Sequence, residues 1–441
     1  MLLPDTVKNC IDALESRGYP TYAVGGCVRD HLLGLQPHDF DLCTAATPEQ
    51  MQEVFSGCRL VLAGIKHGTV GVVTDDGVVE ITTFRTEGSY QDNRHPDWVN
   101  FVTSIDEDLA RRDFTVNAMA WSPTGGLQDP FGGRNDLQNR ILRAVGQPER
   151  RFREDALRIL RGVRFAVRYR LTPESSTQRA MFALAPLMEN LARERVFEEL
   201  SKLLPLIDSA QLLAFAPVIT QVIPELKSAI GFQQQNPHHA YDVFTHISHV
   251  VENAPADPAL RWAALLHDVG KPQTFSVDDS GCGHFYGHAG VSAQVAEDIL
   301  RRLKAPNALR QEVVQLIAFH MLEMYPDRKL LRRRVSQHGM DFIQKLLQLM
   351  EADTSSKGVH KDTEAARFRD MRNILQEIWE ENACLRLKDL AVNGSDLINL
   401  GFAPGPEIGA CLEQLLSEVL DEQLPNQSDA LLLRAKALLK G

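Results

Sequence analysis

Asp39-Phe40-Asp41 sets two carboxylates two residues apart within DFDLC, a run whose composition predicts a β-strand. Residues two apart on a strand face the same way, about 6.6 Å along the chain, so both side chains can converge on divalent cations. Magnesium suits such a pair. It takes oxygen ligands, keeps waters and binds substrate phosphates, the arrangement used for two-metal in-line displacement at phosphorus. Shortly before it, Gly25-Gly26-Cys27-Val28-Arg29-Asp30 follows the strand-like Thr21 to Val24. Two glycines that end a strand and open a helix let the backbone come close to a phosphate, with helix N–H groups pointing at it from Gly26 onward and Arg29 nearby.

Further along, Arg111-Arg112-Asp113-Phe114-Thr115-Val116-Asn117 offers two guanidinium groups beside a carboxylate and an amide. They can hold a triphosphate and a ribose hydroxyl respectively, although the same residues also read as a helix with Asp113 at its N-cap and Asn117 in its second turn. In EDALRILRGVRF from Glu154, helical spacing puts Leu157, Leu160, Val163 and Val167 on one face and Asp155, Arg158, Arg161 and Arg164 on the other. That polar face can read a base. Cytosine and adenine each present an amine donor beside a ring-nitrogen acceptor, and uracil and guanine present the reverse. An aspartate that accepts from the amine and an arginine that donates to the ring nitrogen therefore admit C and A and reject U and G. The competing reading is an i,i+3 salt bridge between Asp155 and Arg158, worth about 0.2–0.5 kcal/mol.

A third group lies far downstream: His246, His267-Asp268, His288, His320 and Asp353, separated by helical stretches, with His267-Asp268-Val269-Gly270-Lys271 directly after the apolar RWAALL. Imidazoles and carboxylates converging from several helices can bind one or two divalent metals, which make a bound water a nucleophile toward a phosphoester.

The elements that must position these residues change character along the chain. The first ~145 residues read as mixed α/β, with an amphipathic helix over about Val7 to Arg17 and short β-rich runs. GTVGVVT and VVEITTF flank Asp75-Asp76-Gly77, the pattern of a hairpin. From about Phe152 the apolar spacing becomes helical, and a further helical unit follows the turn at Asn393-Gly394. The 441 residues are 44% hydrophobic and 24% charged, which fits two to four folded domains and excludes disordered, collagenous and disulfide-scaffold classes. Seven scattered cysteines without a C-x-x-C pair suggest reduced thiols. No apolar run approaches the ~20 residues that span a bilayer, and MLLPDTVKN lacks the marks of a signal peptide, so a cytoplasmic protein with no membrane partner is expected. The net charge of -11 argues against a general nucleic-acid coat, yet Arg140 to Arg170 holds ten arginines against Glu149, Glu154 and Asp155, a local +7. A basic island on an acidic chain fits phosphates held at one place only.

The glycine turn, Asp39-x-Asp41, RRDFTVNA, DPFGGRNDL from Asp129, EDALRILRGVRF and ERVFEELSKLL from Glu194 occur in the order and spacing of bacterial class II tRNA nucleotidyltransferases, the CCA-adding enzymes, which the chain resembles over nearly all of residues 18–205. LAVNGSDL from Leu390 looks like the start of that family's tail domain. The resemblance implies an α+β fold. A polymerase-β-like nucleotidyltransferase head (1–145), with a small mixed sheet and helices, would precede an all-α neck (146–205), an HD-type body (206–380) and a tRNA-binding tail (381–441). It implies magnesium on Asp39 and Asp41, triphosphate on Gly26, Arg29 and Arg112, and triphosphate and ribose contacts from Arg112 with Asp113, near Asn117. Asp155 and Arg158 would select the base, supported by Arg161 and Arg164. CTP, ATP and the acceptor stem and 3' end of tRNA would be the partners. Relatives that add only CC lack a loop that resembles Thr86 to Pro96 here, so full CCA addition is expected, with poly(A) synthesis or A-addition as the rivals. The histidines resemble those of HD-domain phosphohydrolases. That likeness implies His246, His267, Asp268 and Asp353 as ligands, with His288 and His320 for a second metal. Imidazole favours nickel, manganese, cobalt or zinc over magnesium. A 2',3'-cyclic phosphodiesterase or phosphatase activity is the expectation for this body. The rival from another class is an HD phosphohydrolase whose head only binds RNA. Oligomeric state is left open.

Overall fold

The computed structural model describes residues 1–441 except 38, 88–98, 238, 359–360, 382 and 441. The chain forms two compact units, Met1–Pro224 and Glu225–Gly441. In the first, α1 (Asp5–Glu15) buries Val7, Cys10, Ile11 and Leu14, a single helical stripe. Seven strands follow: β1 (Thr21–Val24), β2 (Asp41–Thr44), β3 (Leu60–Val61), β4 (Thr69–Thr74), β5 (Gly77–Thr83), β6 (Ala120–Ser122) and β7 (Gly126–Gln128). They form one mixed sheet in the order β3-β4-β5-β2-β1-β6-β7, in which β2 and β5 are parallel and the other neighbours antiparallel.

The expected hairpin is present. Thr74 pairs with Gly77, so Asp75 and Asp76 make the turn and the glycine opens the return strand. On β5, Val79, Ile81 and Thr83 are buried and Glu80 faces the other way. One expectation needs correction: Asp39 and Asp41 do not share a strand. Strand β1 has only four residues, and its last, Val24, pairs with Asp41 before the chain turns at Gly25 (φ 71°), so Asp39 lies in the loop ahead of β2.

Helix α2 (Gly26–Leu32) starts at the second glycine. The basic segment folds as α3 (Pro148–Glu154) and α4 (Leu157–Tyr169), the latter packed against α5 (Arg193–Leu203). Asp155 lies between α3 and α4 in extended conformation, so it does not stand on the helical face of Arg158, Arg161 and Arg164 as its spacing predicted. Its side chain accepts from the Leu157 N–H, a local bond that competes with helix continuation.

The second unit is helical. Its centre is α7 (Pro258–Leu266), in which Ala259 to Leu266 are all buried, flanked by α6 (Val243–Asn253), α8 (His288–Arg302), α9 (Asn307–Phe319) and α10 (Met340–Ser355). A helix buried on every side must sit inside others, its one charged residue, Arg261, donating to the carbonyls of Val251 and Pro255, and this fixes the residues at its C-terminal end, His267 and Asp268, in the core. The C-terminal helices pack on their own cluster, including Leu397, Leu415, Leu431 and Ala435. No helix among the described residues is long and apolar enough to cross a membrane.

Candidate active site and metal centre

Strand register brings the chemistry of the first unit to one end of the sheet. Val24 pairs with Asp41, so the Gly25-Gly26 turn emerges beside the carboxylates, and the parallel pairing of Leu42 with Ile81 sets Glu80 next to Asp41. Asp39, Asp41 and Glu80 line a cavity of about 990 Å³. Burial, then Glu80, pushes the Asp41 carboxyl up from its ordinary range, against the pull of Arg112. Surplus negative charge on an all-oxygen donor set fits a hard cation.

The arginines meet on a residue that motif reading missed. Asp108, fully buried, takes Arg111 at 2.8 Å and Arg112 at 3.1 Å, and its Oδ2 also lies 3.7 Å from the Cys43 thiol. Burial opposes the Asp108 charge, but the two guanidinium groups outweigh it and hold the carboxyl below its usual range. Its position three and four residues before the arginines was the available signal. Arg112 Nη1 packs over Gly25, where a Cβ would stand 2.9 Å away, and Arg112 Nε is buried without a hydrogen-bond partner.

Asp113 and Asn117 do not cap an α-helix. They enclose the short 3-10 turn Thr115–Asn117, with Asp113 Oδ1 accepting from the Phe114 N–H and the Asn117 amide. Asp113 Oδ2 accepts two hydrogen bonds from Arg161, at 2.9 and 2.8 Å, and Asn117 Oδ1 accepts from Arg29. Arg29 is buried, donates to Asp30 and to the Tyr169 hydroxyl, and lies 4.2 Å from the Tyr169 ring centre. Gly133 is required by close approach, since a Cβ there would meet the Thr115 carbonyl oxygen at 2.1 Å.

Base-reading candidates are individually partnered, but not with each other. Arg158 pairs with Glu154 at 2.9 Å and donates to the Arg111 carbonyl at 3.0 Å, while Asp155 pairs with Arg195 at 2.9 Å. The i,i+3 bridge is therefore absent. Arg164 binds Glu199 at 2.6 Å. The loop from Thr86 to Pro96 falls mainly within 88–98, outside the described residues.

In the second unit all six candidates converge, and all are buried. Asp268 Oδ2 lies 3.4 Å from His246 Nε2 and 3.2 Å from His267 Nε2. Its Oδ1 lies 3.4 Å from His288 Nε2 and 3.9 Å from His320 Nε2. Asp353 stands 3.0 Å from His246. One carboxylate thus joins two ligand groups, one of His246, His267 and Asp353 and the other of His288 and His320. Neither Asp268 oxygen accepts a well-aligned hydrogen bond, although Lys271 Nζ approaches Oδ2 to 2.8 Å. A buried carboxylate whose oxygens face imidazoles without well-aligned hydrogen bonds fits a transition metal. Burial opposes charge on Asp268 and Asp353, yet His267 with Lys271, and Lys357 with His246, hold them well below the usual range. Burial, then His267, holds His320 down to about 4, and burial lowers His288, so both rings are neutral near pH 7. Lys271 and Lys357, which the ligand pattern did not single out, line the adjoining cavity of about 190 Å³.

Three family models match the chain: "Poly A polymerase head domain" over 21–143, "Probable RNA and SrmB- binding site of polymerase A" over 170–229, and a model of domain 2 of tRNA nucleotidyltransferases over 284–435. A CCA-adding enzyme of Streptococcus thermophilus is 34% identical over 440 residues, 99% of this chain and 98% of the relative. That of Lactobacillus delbrueckii subsp. bulgaricus is 33% identical over 423 residues, 96% and 94% of the two chains. Among solved structures, the Bacillus stearothermophilus CCA-adding enzyme in complex with CTP superposes with a TM-score of 0.70 at 28% identity, covering 100% of this chain and 98% of that one. The Thermotoga maritima CCA-adding enzyme complexed with tRNA shares the fold, with a TM-score of 0.63 at 22% identity over 99% and 96% of the two chains.

Proposed function

The chain belongs to the CCA-adding enzymes, a family of tRNA nucleotidyltransferases, and from that premise we propose that it rebuilds the 3'-terminal CCA of tRNA from CTP and ATP and releases pyrophosphate. The observation that carries this reading is the meeting of Asp39, Asp41 and Glu80 in one cavity beside the Gly25-Gly26 turn. Magnesium on Asp39 and Asp41 would activate the tRNA 3'-hydroxyl and stabilise the leaving pyrophosphate in an in-line transfer. Arg112, whose Nη1 packs over Gly25 and whose buried Nε has no hydrogen-bond partner, donates to the triphosphate together with the backbone at Gly26. Asp113 and Asn117 hold Arg161 and Arg29 in place around it. Asp155 and Arg158 select C and A, which requires each to exchange an internal partner for a base edge, and Arg164 braces the helix that carries Arg158 through Glu199. We assign a head (1–145), neck (146–205), body (206–380) and tail (381–441), with tRNA held mainly through phosphates and A-form shape, in the cytoplasm.

Incorporation on tRNA lacking CCA, with each nucleotide alone and with or without magnesium, tests the reading. A poly(A) polymerase ignores CTP, and an A-adding enzyme extends only tRNA that already ends in CC.

A second reading rests on the convergence of His246, His267, Asp268, His288, His320 and Asp353. We propose that the body is a metal-dependent phosphohydrolase acting on 2',3'-cyclic and terminal phosphates. Manganese, nickel, cobalt or zinc bound there would supply an activated water. Water adds to phosphorus, one ribose P–O bond breaks, and the departing oxygen takes a proton, while Lys271 and Lys357 offset phosphate charge. His267→Ala with Asp268→Ala should eliminate hydrolysis and leave CCA addition nearly unchanged. If wild-type protein hydrolyses nothing with any of the four ions supplied, the cluster is structural.

A further inference from the structure

Tyr286 is 76% exposed at the mouth of the body cavity, with the His284 ring nearly parallel to it, 10° between planes and 5.2 Å between centroids. His284 is braced from behind, its Nε2 lying 2.7 Å from Asp278 Oδ2, and Asp278 in turn accepts from the N–H groups of Ser280 and Cys282 across the hairpin. Phe285, between the two rings, points the other way and packs against Phe275 and Phe232 at 5.4 and 6.4 Å. The carbonyl of Phe285 accepts from His288 Nδ1 at 2.7 Å and so orients that proposed metal ligand. The stacked pair is therefore tied through the backbone to the site, two residues from one of its proposed ligands. His284, Tyr286, Lys271, Lys357, His288 and Asp268 line the same cavity of about 190 Å³.

A braced aromatic face beside cationic side chains is what a flat ring joined to a phosphate requires. Every nucleobase has a π face, and stacking on a ring pair that is already ordered loses little side-chain entropy. A base-free phosphoester gains nothing from such a face. We propose that Tyr286, backed by His284, is a base-stacking platform that makes the body site take ribonucleoside phosphates, free or at an RNA end, in preference to base-free phosphoesters. The proposal rests on the phosphohydrolase reading for its phosphate half only.

The test compares wild type, Tyr286→Ala and Tyr286→Phe, with manganese supplied, on adenosine 2',3'-cyclic phosphate, a trinucleotide ending in 2',3'-cyclic phosphate, and glycerol 1,2-cyclic phosphate. Tyr286→Ala should raise KM for the base-bearing substrates by roughly 5- to 150-fold, the span of base–aromatic stacking, with kcat within about threefold. Glycerol cyclic phosphate should be unaffected, and Tyr286→Phe should stay close to wild type. A larger loss on the trinucleotide than on the mononucleotide identifies an RNA end as the preferred source, and equal losses a free nucleotide. If the base-free substrate suffers equally, or no substrate is affected, the platform is wrong and the hydrolase reading stands. If wild type hydrolyses nothing, that reading fails, and titration calorimetry with adenosine 2'-monophosphate decides the platform. Loss of a binding site in Tyr286→Ala supports it, and identical isotherms overturn it.

Discussion

His288 Nε2 and His320 Nε2 face each other at 3.2 Å, while each ring gives its Nδ1 hydrogen to a carbonyl three residues earlier, Phe285 or Ile317, at 2.7 Å. A carbonyl can only accept, so Nδ1 carries the proton and both Nε2 atoms present lone pairs. Two lone pairs at that separation repel unless a cation lies between or beside them. Both rings are thus oriented as the proposed metal site requires, and we expect two divalent ions per chain after manganese loading. His320→Ala should reduce this to one. Mass spectrometry of the loaded, desalted protein measures the ratio. The melting temperature should also rise with metal, by the equivalent of about 2.7 kcal/mol at a hundredfold excess over Kd. An unchanged melting temperature would remove the case for a bound metal.

Asp39→Ala and Asp41→Ala should each abolish incorporation of both C and A, because the two carboxylates are the proposed magnesium ligands in the cavity, and Glu80 and Asp76, which also line it, do not stand in for them. Binding of tRNA should stay within about tenfold, since neither residue belongs to the basic segment. Gel shift and single-turnover incorporation separate the two effects. Activity above a few per cent in both variants would move the metal site elsewhere.

Much of this was legible in the chain, and what was not has a local cause. The hairpin and the glycine turn follow from short-range turn chemistry, motif order singles out the six body residues that the structure brings together, and the buried RWAALL helix carries His267 into the core. Pairings across the chain were hidden. Asp155 was read as a neighbour of Arg158 because spacing assumes an unbroken helix, whereas its own bond to the Leu157 N–H interrupts it and turns the side chain to Arg195, 40 residues away. Asp108 carries a local signal in its spacing to Arg111 and Arg112, but its contact with Cys43 on β2 is visible only in the fold. Asp39 left the strand because β1 ends at Val24, a limit set by the partner and not by DFDLC itself.

Asp155→Ala should admit UTP and GTP as well as slow the reaction. A good bidentate contact discriminates by about 1–3 kcal/mol, or roughly 5- to 150-fold in relative incorporation. Arg195→Ala should reproduce part of the effect, because Arg195 Nη2 holds Asp155 Oδ2 at 2.9 Å and nothing else in that contact depends on the nucleotide. Competition assays with mixed nucleotides check both. Variants that are slow but equally selective would leave Asp155 a structural bridge.

Asp113→Asn should weaken the first unit at neutral pH, and the deficit should shrink in acid. Burial alone would raise the Asp113 carboxyl, but the Arg161 guanidinium and the Asn117 amide outweigh it and hold it at about 2 against an unfolded value of 3.8. A depressed carboxyl contributes stability that is fully present above its unfolded pKa and is lost as pH falls through its folded one. The window is therefore about pH 4 down to pH 2, and the contribution is about 2 kcal/mol at 1.36 kcal/mol per unit. Denaturant midpoints of wild type and variant, taken at steps between pH 6 and pH 2.5, give the difference directly and cancel the carboxylates they share. Arg161→Ala should cost more than Asp113→Asn, because it leaves the buried Asp113 charge without its main partner. A wild-type-to-variant difference that stays constant across the whole range would show that Asp113 is not paired in this way.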